Sequence, residues 1–215
     1  MRGVFVTGTD TDVGKTIVSA ALMIALRNAL EVKYWKPIQT GIEAADDTRT
    51  VRDLAACSKE EIFRPGYRFE RPVSPHLAAR HAATRIEAKK TLSLIARYRN
   101  ERFWIVEGAG GALVPLNDEI LMCDLMLRLG LPVLIVARPT LGTINHTLLT
   151  IEALSRRYLN VLGVVINGGE DKDNREAIEH FGKVKVIAQI PRFRKPLAEN
   201  LNRWAIQNQS CFNIF

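Results

Sequence analysis

The run Gly8-Thr9-Asp10-Thr11-Asp12-Val13-Gly14-Lys15-Thr16 directly follows the apolar Val4-Phe5-Val6 and has the G-x-x-x-x-G-K-T spacing of a phosphate-binding loop. The pattern specifies two glycines, a lysine and a hydroxyl residue, between a strand and a helix that starts at Lys15. Backbone N–H groups from Asp12, Val13 and Gly14 through Lys15, Thr16 and Ile17, with the positive helix end, can surround a phosphate chain. Lys15 adds a mobile charge for the outer phosphates, and the Thr16 hydroxyl is a hard oxygen ligand suited to Mg²⁺. The chain is therefore expected to bind a nucleoside triphosphate.

Other residues able to do chemistry also follow short apolar runs. Glu107 comes after Trp104-Ile105-Val106 and before Gly108-Ala109-Gly110-Gly111. A carboxylate at a buried strand tip needs a partner, and an acid there commonly supports Mg²⁺ in phosphate-loop proteins. The glycines let a ligand approach the backbone. Lys36 lies after a strand and before Pro37, which holds its backbone extended and aims the ammonium at the same crevice. There it can stabilise charge on a transferring phosphoryl group. Asp47 opens a helix and serves equally well as a cap; with Asp46 beside it, the residues alone favour capping. His76, His81, His146 and His180 have no visible nucleophile partner, so no Ser–His–Asp arrangement is expected. Positioning and charge neutralisation would carry the chemistry, as suits phosphoryl transfer, and Lys36→Ala should abolish turnover with the fold intact.

The elements that must position these groups alternate. Strands are expected at Gly3–Thr7, Val32–Trp35, Phe103–Glu107, Pro132–Ala137, Val161–Ile166 and Val184–Ile190, most of them apolar on both faces. Helices are expected at Lys15–Leu30, Asp47–Cys57, Ile86–Tyr98, Asp124–Leu129, Leu141–Tyr158 and Asn174–Phe181. The alternation implies an α/β fold of three layers, the phosphate-loop NTPase arrangement, with a mostly parallel central sheet and helices on both faces. In such sheets ligands bind beyond the carboxyl ends of the strands. The phosphate loop, Lys36–Gly41, Glu107–Gly111, Arg138–Thr143 and Asn167–Gly169 all fall there.

The bulk properties narrow the class. A chain of 215 residues, 47% hydrophobic and 25% charged, suits one globular domain over residues 1–215. Its longest apolar stretches, such as Leu131–Ala137, are too short to cross a bilayer, and no signal peptide is expected. Cys57, Cys123 and Cys211 are widely spaced and read as reduced thiols in a cytoplasmic protein. The net charge of +7 comes from 30 scattered Lys and Arg residues without a nucleic-acid motif. It suits a basic surface attracting anionic substrates such as ATP, so neither nucleic acid nor membrane is expected as a partner.

Taken together, the phosphate loop, Lys36-Pro37-Ile38-Gln39-Thr40-Gly41, Ser74-Pro75-His76, Glu107-Gly108-Ala109-Gly110-Gly111 and Leu141-Gly142-Thr143-Ile144-Asn145-His146 resemble the dethiobiotin synthetase family, in that family's order. The phosphate loop alone is shared with many ATPases; the combination is much more specific. The resemblance implies an ATP-dependent cyclo-ligase of biotin synthesis acting on 7,8-diaminopelargonic acid and CO2. One amine, N7 in the family, forms a carbamate that attacks the γ-phosphate of ATP. The second amine then closes onto the mixed anhydride, and ADP and phosphate are released. A carbamate is itself an oxygen nucleophile, so no protein nucleophile is required.

Carried over by position, the resemblance makes Lys15 and Lys36 the catalytic cations and Thr16, Asp47 and Glu107 the Mg²⁺ ligands. ATP would also meet Asp12, Val13, Gly14, Ile17, Gly108, Ala109 and Gly110, with Asn167, Gly168 and Pro191 near adenine. Thr11, Thr40 and Ser74 would face the diamine, while Gly142, Thr143 and Asn145 would bind its carboxylate across a homodimer interface. Some positions depart from relatives: Asp12 stands for a glutamate, Thr40 for a serine and Gly168-Gly169 for Asn-Asp, and Arg192–Phe215 matches poorly. Two alternatives share the loop. Cobyrinic-acid-synthase-like ligases normally carry an amidotransferase domain for which this length leaves no space. Partition or septum-placement ATPase switches usually carry an additional early lysine, which Thr9-Asp10-Thr11 lacks.

Overall fold

Strand β1 (Arg2–Gly8) alternates its side chains between two apolar layers, with Val4 and Val6 on one side and Phe5 on the other. The same period-two division runs through β2 (Val32–Trp35), β6 (Phe103–Gly111) and β7 (Val133–Ala137), so these strands are buried on both faces. In this computed structural model, residues 1–43, 46–96, 102–195 and 197–214 are described. Among them, β4 (Ile62–Phe63), β2, β6, β1, β7, β8 (Val161–Asn167) and β9 (Val186–Ile190) lie side by side in that order. Every pairing in this sheet is parallel. A small parallel pair, β3 (Ile38–Gln39) with β5 (Tyr67–Arg68), stands apart.

Helices α1 (Lys15–Leu26), α2 (Asp47–Leu54) and α8 (Leu197–Gln207) supply Leu22, Val51 and Leu201 to the layer that holds Val4 and Val6. On the opposite face α3 (Pro75–His81), α4 (Ala88–Ile95), α5 (Met122–Leu129), α6 (Thr143–Ser155) and α7 (Lys172–Gly182) pack around Phe5, Trp35 and Trp104. The fold is the expected three-layer α/β arrangement. No helix among the described residues is long and apolar enough to cross a membrane.

Local chemistry explains where the elements differ from expectation. Helix α1 stops at Leu26, short of Leu30, because the Leu26 carbonyl accepts both Ala29 N and Leu30 N and the chain tightens into a turn. Helix α6 starts at Thr143 rather than Leu141, since Gly142 takes φ +90. Helix α7 starts earlier, at Lys172, where the Asp171 side chain accepts Asn174 N at 2.9 Å. Helix α4 covers Ala88–Ile95, and the expected end at Tyr98 lies outside the described residues. Helices α3 and α8 and the short strands β3, β4 and β5 were not expected. Strand β6 continues past its expected end at Glu107 through Gly108-Ala109-Gly110-Gly111. Register partners Val6↔Glu107 and Gly8↔Gly111 leave two more residues on β6 than on β1, and Gly110 at φ +67 takes up the bulge.

Candidate functional site

The phosphate loop begins where β1 ends. A Cβ on Gly8 would come within 2.6 Å of the Asp10 carbonyl and 2.7 Å of Val13 Cγ2, so the turn needs glycine there. Gly14, the residue before α1, has φ +96, and its missing side chain makes room for Asn167. Asp12 also takes the left-handed region, at φ +57, unusual for a residue with a side chain. Lys15 folds back over the loop and donates from Nζ to the Asp10 carbonyl at 3.0 Å. Asn167, at the end of β8, donates its amide to the Val13 carbonyl at 3.2 Å and ties the loop to the sheet.

Beside the loop lies a buried ion-pair cluster. Tyr34 and Lys36 on one strand line and Ile105 and Glu107 on the next face α1, because alternate residues share a side and Tyr34 is in register with Ile105. Lys36 Nζ is 2.8 Å from Glu107 Oε1 and 2.6 Å from Asp47 Oδ2, and it donates to the Gly108 carbonyl at 3.3 Å. Thr16 Oγ1, in the first turn of α1, lies 3.1 Å from Asp47 Oδ1 and 3.0 Å from Glu107 Oε1. The Tyr34 hydroxyl donates to Glu107 Oε2 at 2.9 Å. Glu107 is fully buried and Lys36 only 3% exposed, so each charge depends on these partners.

The electrostatics follow from burial and pairing. Burial pulls Lys36 toward its neutral form, but Glu107 and Asp47 together outweigh it and raise its pKa. Burial would raise Asp47; the Lys36 charge and hydrogen bonds from Lys36 and Thr16 prevail and hold it below the usual carboxylate range. For Lys15, burial and then the nearby Lys36 charge win, and its pKa is lowered. Tyr34 is pushed well up by burial and by Glu107.

The choice between Asp46 and Asp47 is resolved by geometry. Asp46 is the N-cap of α2, its side chain accepting Arg49 N at 3.1 Å, which leaves the Asp47 carboxylate to Lys36 and Thr16. Capping therefore belongs to Asp46, and the expectation that favoured Asp47 as the cap is corrected. Thr16 Oγ1, Asp47 and Glu107 form a set of hard oxygens that fits Mg²⁺, an ion that takes one or two carboxylates and completes its shell with water and phosphate. No group of three or more His, Cys, Asp or Glu side chains able to hold a metal occurs among the described residues, so a cation here would need the hydroxyl and a phosphate as well.

The structure thus brings together Lys15, Thr16, Lys36, Asp47 and Glu107, with Gly108 at the edge. Thr11 and Asp12 are exposed on the loop. Thr40, Ser74 ahead of α3, and Gly142, Thr143 and Asn145 at the start of α6 have no hydrogen bond to the cluster among the described residues. Thr143 Oγ1 is buried without a partner. Gly168, at φ +106, and Pro191 follow β8 and β9. Two residues escaped the sequence reading. Tyr34 is one; its signal was a hydroxyl on the strand face that leads to Lys36. The other is Arg138, expected only as the start of the strand-end segment Arg138–Thr143 and given no role; it lies 3.7 Å from Asp10 Oδ2 and 3.3 Å from His146 Nδ1 and links the phosphate loop to α6.

Comparison with known proteins agrees with this picture. A family model described as an AAA domain matches residues 2–199. The chain is 52% identical over 190 residues to an ATP-dependent dethiobiotin synthetase of Paramagnetospirillum magneticum, covering 88% of each protein. It is 41% identical over 209 residues to the namesake from Agrobacterium fabrum, covering 97% of this chain and 93% of that one. A biotin biosynthesis bifunctional protein of Bordetella avium is 48% identical and covers 96% of this chain, which spans 43% of that longer protein. Among solved structures, a chain of the MinC:MinD cell division protein complex of Aquifex aeolicus aligns with TM-score 0.63 at 15% identity, over 98% of this chain and 93% of that one. A putative plasmid partition protein of Borrelia burgdorferi also aligns with TM-score 0.63, at 12% identity, over 100% of this chain and 98% of that one. At such low identity these two share the fold alone. With a phosphate loop on that fold and whole-length identity to the synthetases, the chain belongs to the ATP-dependent dethiobiotin synthetase family of ligases.

Proposed function

We propose that this chain, as a single cytoplasmic domain, converts 7,8-diaminopelargonic acid, CO2 and ATP into dethiobiotin, ADP and phosphate. The observation that carries the reading is the Lys36–Glu107–Asp47–Thr16 cluster at the mouth of the phosphate loop, with Lys36 and Glu107 buried and Asp47 and Thr16 partly exposed. It offers phosphoryl-transfer electrostatics and no protein nucleophile, which is what a substrate that brings its own nucleophile requires.

In the first step an amine nitrogen of the diamine bonds to the carbon of CO2 and loses a proton, giving a carbamate. A carbamate oxygen then attacks the γ-phosphorus in line, the bond to the bridging oxygen breaks, and ADP departs. The second amine attacks the activated carbonyl carbon; phosphate leaves with the C–O electron pair, and loss of a proton completes the cyclic urea. Loop N–H groups from Asp12 to Ile17 orient the phosphates, and Lys15 and Lys36 hold positive charge where the transferring group becomes most anionic. Thr16, Asp47 and Glu107 would hold Mg²⁺, which neutralises phosphate charge when bound. Thr11, Thr40 and Ser74 would orient the diamine and its carbamate, the Gly108–Gly110 backbone would line the ATP site, and Asn167, Gly168 and Pro191 would flank adenine.

The substrate carboxylate is assigned to the start of α6, with Gly142, Thr143 and Asn145, across a homodimer interface. A helix N-terminus suits an anion, and the adjoining Leu141 is fully exposed, with Leu149 also exposed on α6. Phosphate release from MgATP, measured with and without diaminopelargonate plus bicarbonate, tests the function. Release is expected to depend on the diamine; hydrolysis indifferent to it refutes the synthetase reading, and stimulation by DNA or lipid would favour an ATPase switch.

A further inference from the structure

We propose that Tyr34 is a positioning residue for Glu107, fixing which carboxylate oxygen the site presents to a divalent cation. The inference rests on the metal-holding role given to Glu107 above. A glutamate's terminal torsion is broad and nearly two-fold, so an unconstrained carboxylate would turn about it. Here the donors are divided between its oxygens. Oε1 accepts from Thr16 Oγ1 at 3.0 Å and lies 2.8 Å from Lys36 Nζ, while Oε2 accepts the Tyr34 hydroxyl at 2.9 Å.

The division is built into the sheet. Tyr34 pairs in register with Ile105, so its ring lies on the α1-facing side one pleat before Glu107, and its hydroxyl reaches forward to Oε2. Both residues are fully buried. A phenylalanine ring would fill the same space, and a buried hydroxyl is costly unless it is paired. The pairing found for it is the far oxygen of the carboxylate whose near oxygen meets Thr16 and Lys36. Partners of this outer kind orient a ligand and tune its affinity without touching the ion.

The test is a Mn²⁺ titration of the protein–ADP complex by electron paramagnetic resonance, with Mn²⁺ standing in for Mg²⁺, on wild type, Tyr34→Phe and Glu107→Gln. Tyr34→Phe is expected to weaken Mn²⁺ binding by about tenfold, the low end for such outer partners, and to leave ADP affinity in EDTA unchanged. Para-aminophenylalanine at position 34, which restores a donor, should recover the affinity. If Tyr34→Phe binds Mn²⁺ as wild type does while Glu107→Gln is weakened, the proposal is overturned. If Glu107→Gln also binds normally, the metal role of Glu107 falls and the proposal falls with it. Should Tyr34→Phe fail to fold, para-aminophenylalanine is compared with para-methylphenylalanine, and equal Mn²⁺ affinities overturn the proposal.

Discussion

Replacing Lys36 by methionine, which keeps an unbranched side chain and removes the charge, probes the cluster directly. Lys36 is 3% exposed and sits 2.8 Å from a fully buried Glu107 and 2.6 Å from Asp47. Removing one member of a buried ion pair strands the other and typically costs about 3–5 kcal/mol. Glu107 would keep its hydrogen bonds from Thr16 and Tyr34, which places the expected loss at the lower end, about 3 kcal/mol. For a chain of 215 residues that corresponds to a Tm lower by roughly 6–12 °C. The variant is therefore expected to keep its fold at reduced stability.

The pH dependence has a definite sign. Asp47 has a folded pKa below the ordinary 3.8, so its share of the stability is present above that value and is lost as pH falls through the folded pKa. Lys36 has a folded pKa above 10.5, so its share is present below that value and is lost as pH rises through the folded pKa. The Tm gap between wild type and Lys36→Met should therefore be flat around neutrality, narrow once the pH drops below 3.8, and narrow again above 10.5. Calorimetry across pH and single-turnover phosphate release are the assays, with turnover in the variant expected to be lost. A variant that melts with wild type near neutrality would refute the stability argument, and one that turns over at the wild-type rate would remove Lys36 from the mechanism.

Asp46→Ala removes the α2 cap at a cost of about 1 kcal/mol, lowering Tm by roughly 2–4 °C with unchanged turnover, and thermal melts beside a phosphate assay check both. Gly14→Ala adds a Cβ 1.9 Å from Asn167 Nδ2 at φ +96, so ATP binding measured by calorimetry should be lost; normal affinity would contradict the loop geometry. Leu141→Asp puts a charge on a fully exposed leucine beside α6 and should shift a dimer to monomer in analytical ultracentrifugation. An unchanged sedimentation coefficient would place any dimer contact elsewhere.

Much of the architecture was legible because it rests on local chemistry. Buried parallel strands announce themselves as apolar runs, and the six expected ones form the body of the sheet. The short pieces were hidden for the same reason: two-residue strands such as Ile62–Phe63 exist only by pairing with neighbours and carry no period of their own. Helix α3 follows Ser74-Pro75, a start signal, but its seven residues were too few to show a helical period. The glycines after Glu107 read as a loop although they continue β6, because a bulge is set by the partner strand's register.

The sequence by itself determined that a phosphate loop follows the first strand, since glycine spacing, lysine and threonine act within one turn of backbone. The alternation of strands with helices also implied a parallel sheet, and so placed Lys36 and Glu107 toward the same end of it. Only the tertiary structure decided how the charges are shared. Asp46 caps while Asp47 pairs with Lys36, a choice made by one residue of helix start and the lysine opposite it. Tyr34 meets Glu107 only because β2 and β6 lie side by side in a particular register, a non-local fact that no window of sequence contains.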